Sequence, residues 1–176
     1  MAISFLPQRV YHSIWQVDLE ELSAAGIRLI LSDLDNTISP YSVAEPPESV
    51  FAWKQQLEDH QMTLFVLSNN RSPTRIKRYC RKLGVPFIDH AGKPKTTSFF
   101  RAMEQMGCTP EETVMLGDQI FTDVLGGNRA GIPVHLVKPI RIRDNPLRAL
   151  RHGLEMPFIW AAKMRQAYQM HRKSIQ

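Results

Sequence analysis

Residues 27–38 read IRLILSDLDNTI. The stretch opens as an apolar run rich in branched side chains and then sets two carboxylates, Asp33 and Asp35, two residues apart. Apolar runs without polar alternation mark strands buried on both faces, and such strands belong to parallel sheets. In an extended chain residues i and i+2 point to the same side, so both acids are expected to face one small volume. Like charges held that close need a cation or a shared proton. The plainer alternative is a strand-end turn, where Asp and Asn are common. Position argues against it, because unpaired acids are costly to bury and these interrupt the most apolar strand of the chain.

Working outward, residues 62–67 (MTLFVL), 85–88 (VPFI), 113–116 (TVML) and 133–137 (PVHLV) are short apolar runs of the same kind. Helical patterns lie between them over 47–60, 72–83, 96–106 and 122–130, the last three stopped by Gly84, Gly107 and Gly131. This alternation predicts an α/β fold: a doubly wound, Rossmann-like sheet of about five parallel strands with helices on both faces. Before the first strand, residues 18–25 predict a short helix ended by Gly26; after the last, 144–154 and 157–172 predict one or two helices interrupted near Gly153 and Pro157. With 176 residues the chain predicts a single domain: a lead helix in 1–26, a core in 27–140 and basic C-terminal helices in 141–176. Ligands in such folds bind beyond the carboxyl ends of the strands, so polar residues there become site candidates.

Three further segments qualify. Ser68-Asn69-Asn70-Arg71 follows the second strand and offers a hydroxyl, although Asn70 and Ser72 can equally cap the next helix. Gly92-Lys93-Pro94-Lys95 brings cations, ordinarily a solvated loop. Gly117-Asp118-Gln119-Ile120-Phe121-Thr122-Asp123 places two more acids around a strand-to-helix turn. Asp123 alone would pass as a helix N-terminal acid. Asp118 would reach Asp33 if its strand lay beside the first, completing a metal site for which Mg2+ suits the oxygen ligands.

The net charge of +5 is uneven: residues 138–176 carry nine Lys or Arg against two acids, while the other 137 residues carry thirteen against fifteen. A basic segment of this kind suits an anionic surface, phospholipid or nucleic acid, or is a solvated face. No zinc-finger spacing or aromatic RNA-binding signature supports nucleic acid. Two cysteines, Cys80 and Cys108, and the absence of a secretory leader pattern or long apolar run place the chain in the cytoplasm, with peripheral contact at the inner face of the membrane as an extension.

Taken in order, Asp33-x-Asp35-x-Thr37, Ser68, Lys93-Pro94 and Gly117-Asp118 with Asp123 resemble the four motifs of the haloacid dehalogenase (HAD) phosphatases. DLDNTI, LSNNR, GKPK, GDQIFTDVLGGNRAG and the lead VDLEELSAAGI are similar to the bacterial YqeG family of class IIIA HAD phosphatases, over roughly residues 5–140. A looser resemblance reaches the phosphatidylglycerophosphate phosphatases of plastids and mitochondria.

The resemblance implies a Mg2+-dependent phosphatase. Asp33 would be the nucleophile and Asp35 the acid and base, Asp35 also reaching the metal through its carbonyl. Ser68 and Lys93 would hold the phosphoryl oxygens, and Asp118 would bind metal with Asp123 as ligand or partner. Lys95 competes with Lys93, and Thr37, Asn69, Asn70, Arg71 and Lys95 are the expected substrate contacts. Arg75 joins Arg71 as a candidate for a second phosphate.

Only 34 residues separate Asp33 from Ser68 and 24 separate Ser68 from Lys93, leaving no room for a large cap domain. An open site bordered by residues 39–45 suits a bulky substrate, with phosphatidylglycerophosphate the best guess. A soluble sugar phosphate or nucleotide, or a nucleic-acid or ribosome-associated role for the basic tail, are the alternatives. In the tail, Arg141, Arg143, Arg148 and Arg151 accompany Leu147, Leu150, Leu154, Phe158, Ile159 and Trp160, a pattern that fits either a membrane surface or packing on the core.

Overall fold

The computed structural model describes residues 4–70, 73–141 and 146–173. Arg71 and Arg143 lie outside the described residues, and so do the side chains of Leu147 and Arg148.

In chain order the elements are β1 (Arg9–Tyr11), α1 (Leu19–Ala24), β2 (Leu29–Ser32), α2 (Glu48–Asp59), β3 (Thr63–Leu67), α3 (Pro73–Leu83), β4 (Phe87–Ile88), α4 (Thr97–Met106), β5 (Thr113–Gly117), α5 (Leu125–Ala130), β6 (Val134–Val137) and α6 (Pro146–Lys173). The strands form one parallel sheet in the order β1-β6-β5-β2-β3-β4. From β2 the chain winds outward through β3 and β4, then returns to β5 on the other side. The order therefore reverses between β2 and β5, and a crevice opens at such a switch point.

Alternation along each strand divides the apolar side chains between the two faces. Ile30, Leu64, Val66, Val114 and Leu116 pack under α1, α2 and α3, against residues such as Leu22, Trp53 and Tyr79. Leu29, Leu31, Phe65, Met115 and Val134 pack on the opposite face against Phe99 and Met103 of α4, Ala130 of α5 and Ile159 of α6. Each fully buried Leu or Ile contributes about 2 kcal/mol, so the central strands anchor the domain. Helix α1 begins where Asp18 accepts from the Glu21 N–H at 2.9 Å, and the chain leaves it through Gly26 at φ 79.

Two elements depart from expectation. The sheet has a sixth strand, β1, whose three residues Arg-Val-Tyr are too few and too mixed to show a period. Pairing creates it: Arg9, Val10 and Tyr11 align with His135, Leu136 and Val137 of β6. The C-terminal segment is one continuous helix rather than an interrupted pair, with Pro157 inside it. Pro157 is exposed, and the carbonyl four residues back, to which it has no N–H to donate, belongs to exposed Gly153, whose Cβ position faces open space. Water can solvate that carbonyl, so the break in hydrogen bonding does not break the helix.

Helix α6 also closes the sheet edge. Gln166 accepts from the Val10 N–H at 2.8 Å and Gln169 from Arg9 Nη1 at 3.4 Å, which covers strand β1. Phe158 of α6 meets Phe5 and Phe121 at ring distances of 5.2 and 6.1 Å.

Because Pro157 is tolerated rather than needed, Pro157→Ala is expected to raise stability by about 1–2 kcal/mol, the helix gain exceeding the entropy returned to the unfolded chain. A urea midpoint that does not rise would show that the proline fits a bend which the packing requires.

Candidate active site

Strand register fixes the centre of the site. Ser32 lies opposite Leu116 of β5 and Val66 of β3, so Asp33 emerges between the ends of those strands, its N–H donating to Leu116 O at 3.0 Å. Strand β3 ends at Leu67 and β5 at Gly117, so Ser68 and Asp118 are the first residues beyond them. Past Asp33 the chain turns sharply through Asn36 at φ 63, in the left-handed region that asparagine tolerates.

Carboxylate oxygens of Asp33, Asp118 and Asp123 lie within 4.8 Å of one another, and all three residues are buried. Lys93 enters the same volume, its Nζ 2.7 Å from Asp123 Oδ1 and 3.1 Å from Asp33 Oδ1. Asn69 holds that lysine in place with both ends of its amide: its Oδ1 accepts from Lys93 N at 2.9 Å and its Nδ2 donates to Lys93 O at 2.8 Å. Lys95 is exposed, so the choice between the two lysines falls to Lys93. Thr37 Oγ1 donates to Asp118 Oδ1 at 3.3 Å, and Gln119 N to Asp123 Oδ2 at 3.1 Å. Gly117 permits this closeness, because a Cβ there would lie 2.3 Å from Asp123 Cβ.

Asp35 is not part of the carboxylate cluster. Its oxygens accept from Arg75 Nη1 at 2.5 Å and Asn70 Nδ2 at 2.7 Å. Arg75 also donates through Nε to Val43 O at 3.1 Å and through Nη2 to Pro40 O at 3.0 Å, and stacks 5.2 Å from the Tyr41 ring. This corrects the expectation that Arg75 meets a second phosphate: all three guanidinium nitrogens are engaged in fixing Asp35 and the 39–45 loop. Glu45, paired with Arg78 and Lys82, ties the far end of that loop to α3. Ser68 Oγ accepts from Asn70 N at 3.1 Å, leaving its proton to donate.

The charges are unbalanced. Burial, then Asp33 and Asp123, raises the Asp118 pKa well above the ordinary carboxylate value. Burial also lifts Asp123 to about 6, with Lys93 opposing and Asp33 adding. Burial alone would depress the Lys93 ammonium, but Asp123 and Asp33 outweigh it and its pKa rises. Asp35 is raised by burial and then by Asp33, against Arg75 and Asn70. Among the described residues three carboxylates face one ammonium, a donor set that fits a hard divalent cation such as Mg2+.

Sequence reasoning missed Glu155. Buried on α6, it accepts from Phe121 N at 3.3 Å and so braces the π-helical turn Ile120–Val124 that carries Asp123. Its signal was faint but present: a lone acid in a helix otherwise charged only by Lys and Arg.

A family model of HAD-hydrolase-like proteins matches residues 90–141. Probable phosphatase YqeG of Bacillus subtilis is 33% identical over 159 residues, 90% of this chain and 92% of that protein. Phosphatidylglycerophosphate phosphatase 1 of Arabidopsis thaliana is 26% identical over 149 residues, 80% of this chain but 43% of its own length. Among solved structures, a putative 3-deoxy-D-manno-octulosonate 8-phosphate phosphatase from Vibrio cholerae superposes with a TM-score of 0.54 at 17% identity, over 76% of this chain and 75% of that one. At that identity the likeness bears on the fold alone.

Gly117→Ala is expected to displace Asp123, costing about 1–3 kcal/mol of stability and about tenfold or more in turnover. Unchanged turnover would mean that Asp123 can shift freely. Asp118→Asn removes a repelling charge, so in chelator it is expected to melt above the wild type, while Mg2+ raises the melting temperature of the wild type only. The pH dependence follows the same sign. Asp123, raised from 3.8 to about 6, favours the folded state when protonated. Metal-free stability from this group is full below the lower value and lost as pH rises through the higher one. Melting curves in chelator across that range check it.

Proposed function

The chain belongs to the YqeG family of HAD-type phosphatases, phosphoric monoester hydrolases, and from that premise we propose that Asp33 takes the phosphoryl group from a lipid phosphate monoester with Mg2+ as cofactor. Asp33, Asp118 and the carbonyl of Asp35 would hold the metal, with Asp123 as ligand or as the anchor of Lys93. Bound there, Mg2+ would neutralise the anionic phosphate and carboxylates that must approach one another. The observation that carries the reading is the convergence of Asp33, Asp118, Asp123 and Lys93 at the switch point of the sheet. We read residues 27–140 as the catalytic core of one domain that includes the 1–26 lead and the 141–176 segment.

In this mechanism an oxygen of Asp33 attacks phosphorus as the ester P–O bond breaks, and Asp35 protonates the departing alkoxide. Burial raises the Asp35 pKa, which favours the acid form this step needs. Water then attacks the aspartyl-phosphate as Asp35 takes a proton from it, the bond from phosphorus to the Asp33 oxygen breaks, and phosphate leaves with both acids restored. Lys93 and the Ser68 hydroxyl hold the phosphoryl oxygens as charge develops on them. Asn69 acts through Lys93 and Thr37 through Asp118, while Asn70 and Arg75 orient Asp35.

The lipid substrate, with phosphatidylglycerophosphate the best guess, draws on the Arabidopsis relative and on the open site. Between Asp33 and Ser68 the described chain builds α2 and β3, and between Ser68 and Lys93 α3 and β4, with no cap over the crevice. A phosphate on a large lipid needs that access.

Two measurements test this. Asp33→Asn is expected to abolish phosphate release and the acid-stable phosphoenzyme; retention of wild-type turnover would remove the nucleophile. A panel of phosphatidylglycerophosphate in detergent, a hexose phosphate, a nucleotide and 5′-phosphorylated RNA, with and without Mg2+, is expected to favour the lipid. Preference for a soluble ester would overturn the substrate while leaving the phosphatase intact.

A further inference from the structure

Helix α6 turns one face to the core and leaves the opposite one bare. Glu155, Ile159 and Ala162 are buried and Phe158 is half-buried. At about 3.6 residues per turn, Leu150, Leu154, Ala161, Met164 and Tyr168 fall on one line of the far side, with Trp160 beside it. Those large side chains are exposed: Leu150 64%, Leu154 61%, Trp160 66%, Met164 55% and Tyr168 64%. The stripe runs about 27 Å, from Leu150 to Tyr168, and no part of the described chain covers it. A patch of that size on a soluble surface signals a binding face.

Charge selects the occupant. The only acid of α6, Glu155, is buried, and every described charge on the exposed surface of the helix beyond Pro157, Lys163, Arg165 and Arg172, is positive. A second copy docking stripe to stripe about a two-fold axis would set these cations against one another. An anionic lipid surface would neutralise them and accept the apolar side chains below its headgroups, with Trp160 and Tyr168 at the depth aromatic rings favour. We propose that the outward face of α6, Leu150, Leu154, Trp160, Met164 and Tyr168 flanked by Lys163, Arg165 and Arg172, docks the enzyme on an anionic bilayer.

This face differs from the one the sequence suggested, since Phe158 and Ile159 pack inward while Met164 and Tyr168 point out. Docking is peripheral: among the described residues no helix is long and apolar enough to cross a membrane. The inner face of α6 reaches the turn that carries Asp123, Glu155 accepting from Phe121 N at 3.3 Å. The inference rests on the helix face and holds even if the substrate proves soluble.

Vesicle co-sedimentation tests it, with p-nitrophenyl phosphate turnover measured on the same samples so that docking and catalysis fail separately. The full chain is expected to pellet with phosphatidylcholine vesicles containing phosphatidylglycerol, to stay soluble with phosphatidylcholine alone, and to be released by salt. Trp160 emission should shift to the blue on binding, and Trp160→Phe should lose the shift. Leu154→Glu with Met164→Glu should abolish pelleting while the melting curve and turnover hold, and Arg165→Glu should weaken it about tenfold. Failure of the wild type to pellet, or equal pelleting of the double variant, overturns the proposal. So does a dimer in sedimentation velocity that the double variant converts to monomer without any vesicle binding.

Discussion

The site depends on one electrostatic constraint: a buried ammonium, Lys93, stands between Asp33 and Asp123, and among the described residues the third carboxylate, Asp118, has no cation of its own. Carboxylates closed away from water at this spacing repel strongly, and a single lysine leaves a surplus of negative charge. A divalent cation relieves the surplus. The same imbalance prepares the cavity for a phosphate, which is acceptable only once positive charge is present. On the proposed reading, affinity for the metal and for the phosphate would have a common source in the arrangement of four side chains.

Holding that arrangement requires support from every side. Asn69 fixes the Lys93 backbone at both ends of its amide, Gly117 leaves space for Asp123, and Thr37 steadies Asp118. Arg75 performs a separate task, drawing the Asp35 carboxyl towards the loop at 39–45 and away from the cluster. Two acids only two residues apart in sequence are thereby given different surroundings. Asp33 sits against a lysine and the acidic cluster, while Asp35 sits against an arginine and an amide, a division suited to a nucleophile and a proton carrier.

Helix α6 links this centre to the outside. Its inner face braces the turn bearing Asp123 through Glu155 and covers the β1 edge through Gln166. Its outer face stays apolar and basic. A helix with apolar residues on both sides has no single amphipathic signature, and its sequence alone could not say which set met the core.

What the sequence determined was the local chemistry and the order of elements: apolar runs for β2, β3, β5 and β6, glycine stops after α3, α4 and α5, and acids at the strand ends. Those features follow from side-chain pattern and backbone preference, which act over a few residues. Only the tertiary structure decided that Asp123, rather than the Asp35 carboxylate, completes the acidic cluster, and that Arg75 serves Asp35. It also decided that Arg9–Tyr11 is a strand, that Glu155 is buried, and which half of α6 faces outward. Each of these depends on partners far away along the chain, brought together by sheet register and packing, and no local pattern records such a meeting.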